Sequence, residues 1–330
     1  MKTTAPPGNT RIKSSGSEAT RLPFVSIIIP AYNEARFIGR CLQSIKHLDY
    51  PSDRFEIIVV DNGSADRTVE ICREFTESIY VLRGVTISAL RNYGAERSKG
   101  SIYAFIDADC TADRDWLRNS IGPVIRERCI TGSKYMPPPD GTWIEKAWFS
   151  RKPQGRCEVT YINSGNLIVP AEIFRKTGGF NTSLITGEDY EFCLRAKKNA
   201  KIISDDSLRV THLGNPKTLR KFLEREIWHG LGSFGSVAHN WLDKPLIGTF
   251  VFALLTVCQI AGLFFYPFTA LAYSSAGIVL LLLLTVAWRR KNITSFKQGL
   301  QLFLLYYFYY LGRSISFIYR LSGRPFGRKK

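Results

Sequence analysis

Two carboxylates standing two residues apart close an apolar run, Ile102 to Ile106 followed by Asp107-Ala108-Asp109. Acids at that spacing can approach one hard cation, Mg2+ or Mn2+, while phosphate oxygens and water complete the shell. A second pair, Glu188-Asp189, lies at the start of a helical segment. One of these carboxylates can take the proton of a hydroxyl as a new bond forms, or the pair can simply complement the helix dipole. Asp61 ends the run Ile57 to Val60 and enters the turn sequence Asn62-Gly63-Ser64, where an aspartate also serves as a helix cap. Other phosphate-binding devices are missing: no GxGxxG follows a strand and no GxxxxGK[ST] occurs, so neither a dinucleotide fold nor a P-loop is supported. A metal on the Asp107/Asp109 pair would supply what they lack, by neutralising a diphosphate as it leaves.

The elements that must position these acids alternate between two periods. Val25 to Ile29 is a short β-branched run that stops at Pro30, and Ile38, Cys41, Leu42 and Ile45 then recur with the spacing of an amphipathic helix. The phrase repeats with a strand at Ile57 to Val60 and a helix near Ala65 to Phe75. A weaker strand at Ile79 to Leu82 precedes a helix near Ile87 to Arg97, and the strand Ile102 to Ile106 follows. Such alternation predicts an α/β fold, Rossmann-like, with a mostly parallel sheet covered on both faces. Ligands of open sheets bind beyond the carboxyl ends of the strands, where Asp61 and Asp107 stand.

Composition divides the chain of 330 residues further. From Pro245 to Trp288 no charge occurs, about twice the ~20 residues that one membrane pass needs. Two transmembrane helices in a hairpin about Pro267 and its neighbour Tyr266 are expected over 245–288. Asp243 and Lys244 precede the span and Arg289, Arg290 and Lys291 follow it, which puts both ends on the cytoplasmic side. Before the hairpin, Leu219, Phe222, Leu223, Ile227 and Leu231 face away from Lys217, Arg220, Lys221 and Arg225; the linker 215–244 therefore reads as an amphipathic interface helix, lying on the membrane or packed on the preceding domain. Residues 289–330 hold an aromatic stretch around Tyr306, Tyr307, Tyr309 and Tyr310, either interfacial or a third crossing, and a basic tail through Arg324, Arg328, Lys329 and Lys330. Residues 1–21 read as a disordered tail. The seven scattered cysteines form no CxxC and suggest neither a disulfide framework nor zinc. The net charge of +17 is concentrated in the tail and near the apolar spans, which predicts anionic membrane lipid rather than nucleic acid as partner.

Four further motifs sharpen the reading. Pro30-Ala31-Tyr32-Asn33-Glu34, Val60-Asp61-Asn62-Gly63-Ser64 with Asp66 and Thr68, Ala89-Leu90-Arg91-Asn92-Tyr93-Gly94-Ala95 and Ile106-Asp107-Ala108-Asp109, in this order, resemble the family 2 inverting glycosyltransferases. The resemblance continues through Asn163-Ser164-Gly165-Asn166, Gly178-Gly179-Phe180, Gly187-Glu188-Asp189 and Val210-Thr211-His212, and it implies an A-type glycosyltransferase fold over 22–214. It further implies a nucleotide-sugar donor, uridine-linked most commonly and guanosine-linked as the alternative, with the backbone of Pro30, Ala31 and Tyr32, together with Glu34, Asp61, Gly63, Arg91 and Asp107, around the nucleotide. By the same resemblance Asp107, Asp109 and His212 hold Mn2+ or Mg2+, Asp189 is the general base and Glu188 supports it or binds the acceptor. The QxxRW motif of processive synthases is absent, with Arg225 and Trp228 at another spacing, so transfer of one sugar per encounter is expected. Membrane anchoring points to a membrane-held acceptor, a lipid-linked saccharide first and polyprenyl phosphate second, because confinement raises its local concentration. The third reading is a binding scaffold whose catalysis has decayed. The segment 131–165, with Tyr135, Pro137 to Pro139, Trp143 and Trp148, is expected to form acceptor-side loops.

Overall fold

The computed structural model of the chain describes residues 22–233, 244–264 and 268–321. The expected tail 1–21, Asp243, the turn residues Tyr266 and Pro267 and the basic end from Arg324 to Lys330 lie outside the described residues. The first strands are β1 (Val25–Ala31), β2 (Phe55–Asp61), β3 (Ile79–Val81) and β4 (Ile102–Ile106), separated by helices α1 (Ile38–Lys46), α2 (Thr68–Cys72) and α3 (Ile87–Glu96). After them come β5 (Cys110–Ala112), α4 (Trp116–Glu127), β6 (Ile130–Gly132), α5 (Trp143–Phe149), β7 (Arg156–Glu158), β8 (Asn166–Pro170), α6 (Ala171–Thr177), α7 (Glu188–Ala196), β9 (Ile202–Asp205) and β10 (Val210–His212). The C-terminal part is helical: α8 (Leu219–Ser233), α9 (Lys244–Phe264), α10 (Thr269–Trp288) and α11 (Phe296–Leu321).

Eight strands form one sheet in the order β3-β2-β1-β4-β8-β6-β9-β7, and β10 pairs with β5 in a separate ribbon. The strands β3, β2, β1 and β4 run parallel, as the alternation requires, whereas β8 runs antiparallel to β4. β1 is buried along its whole length, the mark of a strand covered on both faces. Val25, Ile27 and Ile29 join Ile57, Val59, Ile102 and Ile106 beneath α1 and α4. Ile28, Tyr103 and Phe105 point the other way, into the layer of Phe174, Phe180 and Phe192 from the segments around α6 and α7. The chain reverses its lateral direction between β1 and β4, which makes their carboxyl ends a topological switch point.

The apolar stripe of α8 turns to protein. Phe222 is fully buried with Ile144 and Ala147 of α5 and Leu305 of α11. The aromatic stretch expected at an interface or across a membrane is part of α11, and it packs along α8 and against the α9–α10 hairpin through Tyr306 and Tyr310. Glycines bring α8 and α11 together: a Cβ on Gly312 would lie 2.9 Å from that of Glu226, and one on Gly230 would strike Ser316. The physical reason is proximity, since an amphipathic stripe takes the apolar partner tethered nearest to it. By contrast α9 and α10 are long and apolar enough to cross a membrane and carry Leu254, Leu263 and Leu284 more than half exposed, unlike helices of a soluble core.

Candidate active site

The loops after β1 and β2 are laced into one platform. Pro30 and Ala31 pair in register with Val60 and Asp61, and the Asn62 amide donates to the Ala31 carbonyl at 2.8 Å. The Asn33 amide donates to Ser64 Oγ at 2.8 Å, the Ala65 amide to Asn33 Oδ1 at 2.8 Å, and the Glu34 amide to Thr68 Oγ1 at 2.8 Å. Asp61 is buried, and its Oδ2 accepts from the amides of Gly63 and Ser64, each at 2.8 Å, while Oδ1 accepts from the Ser64 hydroxyl. Gly63 sits at φ +78°, a conformation this turn requires and other residues rarely adopt. The Asp61 carboxylate thus shapes the turn, and helix α2 starts later than expected, at Thr68. The Glu34 carbonyl accepts from the amides of Phe37 and Ile38, so this residue also leads into α1.

Arg91, expected beside the nucleotide, is the hub of the site and is only 1% exposed. From α3 its Nη1 donates to Glu188 Oε1 at 2.7 Å and its Nη2 to Asp107 Oδ1 at 2.6 Å, with the Phe180 ring 5.7 Å from its guanidinium carbon. Burial alone would lower its pKa, but the two carboxylates outweigh that and raise it, so the guanidinium is a fixed charge. Asp107 Oδ2 accepts from the Tyr135 hydroxyl at 2.9 Å. Both oxygens of Asp107 are therefore held by protein. A Cβ on Gly165 would collide with the Asp107 carboxylate and the Tyr135 hydroxyl, which explains the glycine in that motif.

Asp109 faces elsewhere. Its Oδ2 lies 3.5 Å from His212 Nε2, brought there by the antiparallel β5–β10 ribbon, in which Cys110 pairs with His212. Ligand atoms of Asp109, Cys110 and His212 lie within 4.8 Å of one another, a group that Asp107 does not join. Without a bound cation, burial and the neighbouring Asp109 and Asp107 push the Cys110 thiol well above its ordinary pKa. Burial also raises the Asp109 carboxyl, with Asp107 adding to the effect and His212 opposing it. Asp109 and His212 offer a carboxylate and an imidazole, a donor set that suits Mn2+. His212 Nδ1 is buried without a hydrogen-bond partner among the described residues. A Cβ on Gly214 would strike Asp109 Oδ2, so the chain keeps the space beside that oxygen open.

The acid pair stands at the first turn of α7, after Gly187. Glu188 is buried on Arg91, whereas Asp189 is partly accessible and makes only long contacts through Oδ2, to Asn163 Nδ2 and the Ser164 amide at 3.4 Å each. Burial, and then the neighbouring Glu188 charge, push the Asp189 carboxyl up to about 6, against the pull of the Tyr190 amide and Arg91. A carboxylate with that proton affinity and a loosely held oxygen is suited to accept a proton near neutral pH.

Residues 26–180 match the family described as "Glycosyl transferase family 2". The chain carries a family 2 glycosyltransferase domain. Glycosyltransferase AglE of Haloferax volcanii is 34% identical over 187 residues, 53% of this chain, and the match spans 62% of that protein. A protein of Methanococcus voltae described as a dolichyl N-acetyl-alpha-D-glucosaminyl phosphate 3-beta-D-2,3-diacetamido-2,3-dideoxy-beta-D-glucuronosyltransferase is 25% identical over 240 residues, 63% of this chain and 72% of that one. Among solved structures, the mannosyltransferase PcManGT of Pyrobaculum calidifontis, in complex with GDP-Man and Mn2+, superposes with a TM-score of 0.59 at 19% identity over 93% of this chain and 89% of its own. The fold of the family 2 domain is thereby the A-type glycosyltransferase fold.

Within this domain Tyr135, part of the segment 131–165 expected to form acceptor-side loops, bonds Asp107, with its ring 4.9 Å from that of His212. Trp148, from the same expected group, packs on Phe222, Tyr306 and Tyr309 at the junction with α8 and α11. Asn163 and Ser164 flank Asp189, and only their place in a family motif marked them.

Proposed function

We propose that the family 2 domain transfers a single sugar, with inversion, from a nucleotide-sugar to a membrane-held, lipid-linked saccharide. One arrangement carries this reading: a metal-capable pair, Asp109 and His212, and a loosely held carboxylate of raised pKa, Asp189, converge on the switch point and are joined through Arg91, Asp107 and Glu188. The nucleotide would rest on the platform of Pro30 to Glu34 and Asp61 to Ser64, with Asp107 at its edge. A divalent cation bound by Asp109 and His212 would neutralise the diphosphate. The acceptor hydroxyl forms its bond to the sugar's anomeric carbon as the bond to the diphosphate breaks, and its proton passes to Asp189. Glu188, fixed by Arg91, keeps the Asp189 proton affinity high. The α9–α10 hairpin would anchor the domain at the cytoplasmic face of a membrane, where anionic lipid meets the basic flanks.

Calorimetric titration of the detergent-purified chain with UDP and GDP, with and without Mn2+, tests this. Native protein should bind one of the two in a Mn2+-dependent manner and Asp109→Asn should lose it; absence of binding to either would return the chain to the scaffold reading.

A further inference from the structure

Where the loop after α5 is pinned to the end of the apolar hairpin, Arg289, Arg151 and Lys134 act on one another electrostatically. Arg289 follows α10 directly, is 8% exposed, and lies over the Trp148 ring at 5.2 Å while donating to the Trp148 carbonyl and, at 3.3 Å, to the Tyr306 hydroxyl. Arg151 follows α5 on a loop that α11 pins, since Gln298 Nε2 donates to the carbonyls of Ala147 and Ser150 at 3.0 Å each. Gln154 Nε2 ties the same loop to Asn292 Oδ1 at 3.0 Å. Lys134 precedes Tyr135, the residue bonded to Asp107. Among the described residues none of the three cations forms an ion pair. The acid nearest in effect, Asp206, already accepts from the amides of Gln154 and Gly155.

Like charges held together without counter-charge are unfavourable, and their pKa values register it. Burial, then Arg151 and Arg289, bring Lys134 down to about 8; burial, then Arg289, lower Arg151. The cluster also adjoins the reaction centre. Tyr161 feels both sides, its phenol raised by burial and by Asp189 and drawn back by Arg151, and its ring packs on Tyr190 at 5.5 Å. Unpaired cations between a membrane-length helix end and the candidate base fit an anion that arrives from the membrane with a hydroxyl to present.

Resting on the lipid-linked acceptor reading above, we propose that Lys134, Arg151 and Arg289 bind the phosphate or diphosphate headgroup of the lipid acceptor and so place its hydroxyl at Asp189. Arg289 marks the depth of the headgroup, and Arg151 and Lys134 face it from the catalytic domain. The acceptor's own charge supplies the missing counter-ion.

The test is binding of farnesyl diphosphate to the full chain in neutral detergent, with farnesol, inorganic pyrophosphate and phosphatidylglycerol as comparisons. Native protein should bind farnesyl diphosphate at least tenfold tighter than farnesol or pyrophosphate. Arg151→Gln and Lys134→Gln should each weaken it about tenfold or more, with Arg151→Lys recovering part, since a charge-assisted hydrogen bond is worth about that factor. Mn2+-dependent nucleotide binding, measured on the same samples, should not change; its absence from native protein would refute the transferase reading, whereas its presence with variants that bind farnesyl diphosphate normally would refute only the headgroup site. Equal binding of pyrophosphate, or full displacement by phosphatidylglycerol at equal mole fraction, also overturns the proposal, the first indicating a soluble anion and the second a general lipid surface. If Arg151→Gln also loses nucleotide, Lys134→Gln decides the matter alone.

Discussion

Replacing Arg91 by Met removes the one cation that separates two carboxylates in the interior of the site. The guanidinium makes ion pairs of 2.6 Å to Asp107 and 2.7 Å to Glu188, and its side chain is 2% exposed, so water cannot replace it. Breaking a buried pair in this way costs about 3 to 5 kcal/mol, chiefly from the charges left behind. For a domain of this size about 2 to 4 °C of unfolding temperature corresponds to each kcal/mol, so a fall on the order of 10 °C is expected. Thermal unfolding of nucleotide-free protein in detergent, followed by intrinsic fluorescence, reads it. Adding Glu188→Gln to Arg91→Met removes one stranded charge and should restore about 1 to 2 kcal/mol, a coupling that independent sites would not show. Arg91→Lys keeps a charge but cannot fork to both acids, and should fall between native and Arg91→Met. An Arg91→Met protein that unfolds within a degree of native would refute the hub and the fixed charges assigned to it.

Further outcomes test the chemistry. Asp189→Asn should lower turnover by about 10²- to 10⁴-fold with nucleotide binding intact, while native turnover should rise with pH through about 6 as the base ionises; retention of most activity would instead favour a phosphate acceptor, which needs no base. Because the folded pKa of Asp189 is raised, its contribution favours the folded state below about pH 4 and is lost as pH rises through 6, so Asp189→Asn should unfold at higher temperature than native at pH 7.5 and at the same temperature in acid. Gly214→Ala should drive a methyl into Asp109 Oδ2 and weaken Mn2+-dependent nucleotide binding by about tenfold or more without lowering secondary structure; normal Mn2+ dependence in that variant would remove Asp109 from the metal site.

Strand and helix identity followed from the sequence because the sheet is covered on both faces: β1, β2 and β4 read as continuous apolar runs ending at Pro30, Asp61 and Asp107, and those ends are where the site stands. The acids at 107, 109, 188 and 189, and the apolar span from Pro245, were likewise local patterns. Tertiary structure decided which groups each acid meets. Asp107 and Asp109 are alike in the chain, yet Arg91 and Tyr135 claim the first, while the β5–β10 ribbon, paired across a hundred residues of sequence, aims His212 at the second. No periodicity reveals that Arg91 is buried rather than solvated, because a lone arginine on a helix carries no sign of the carboxylates that fold around it. The same holds for α8, whose stripe fits a membrane or α11 equally well in sequence; only the close approach at Gly230 and Gly312 selects α11. Period and composition are properties of neighbours in the chain, whereas charge pairing and helix partners depend on contacts that the chain makes with itself at long range.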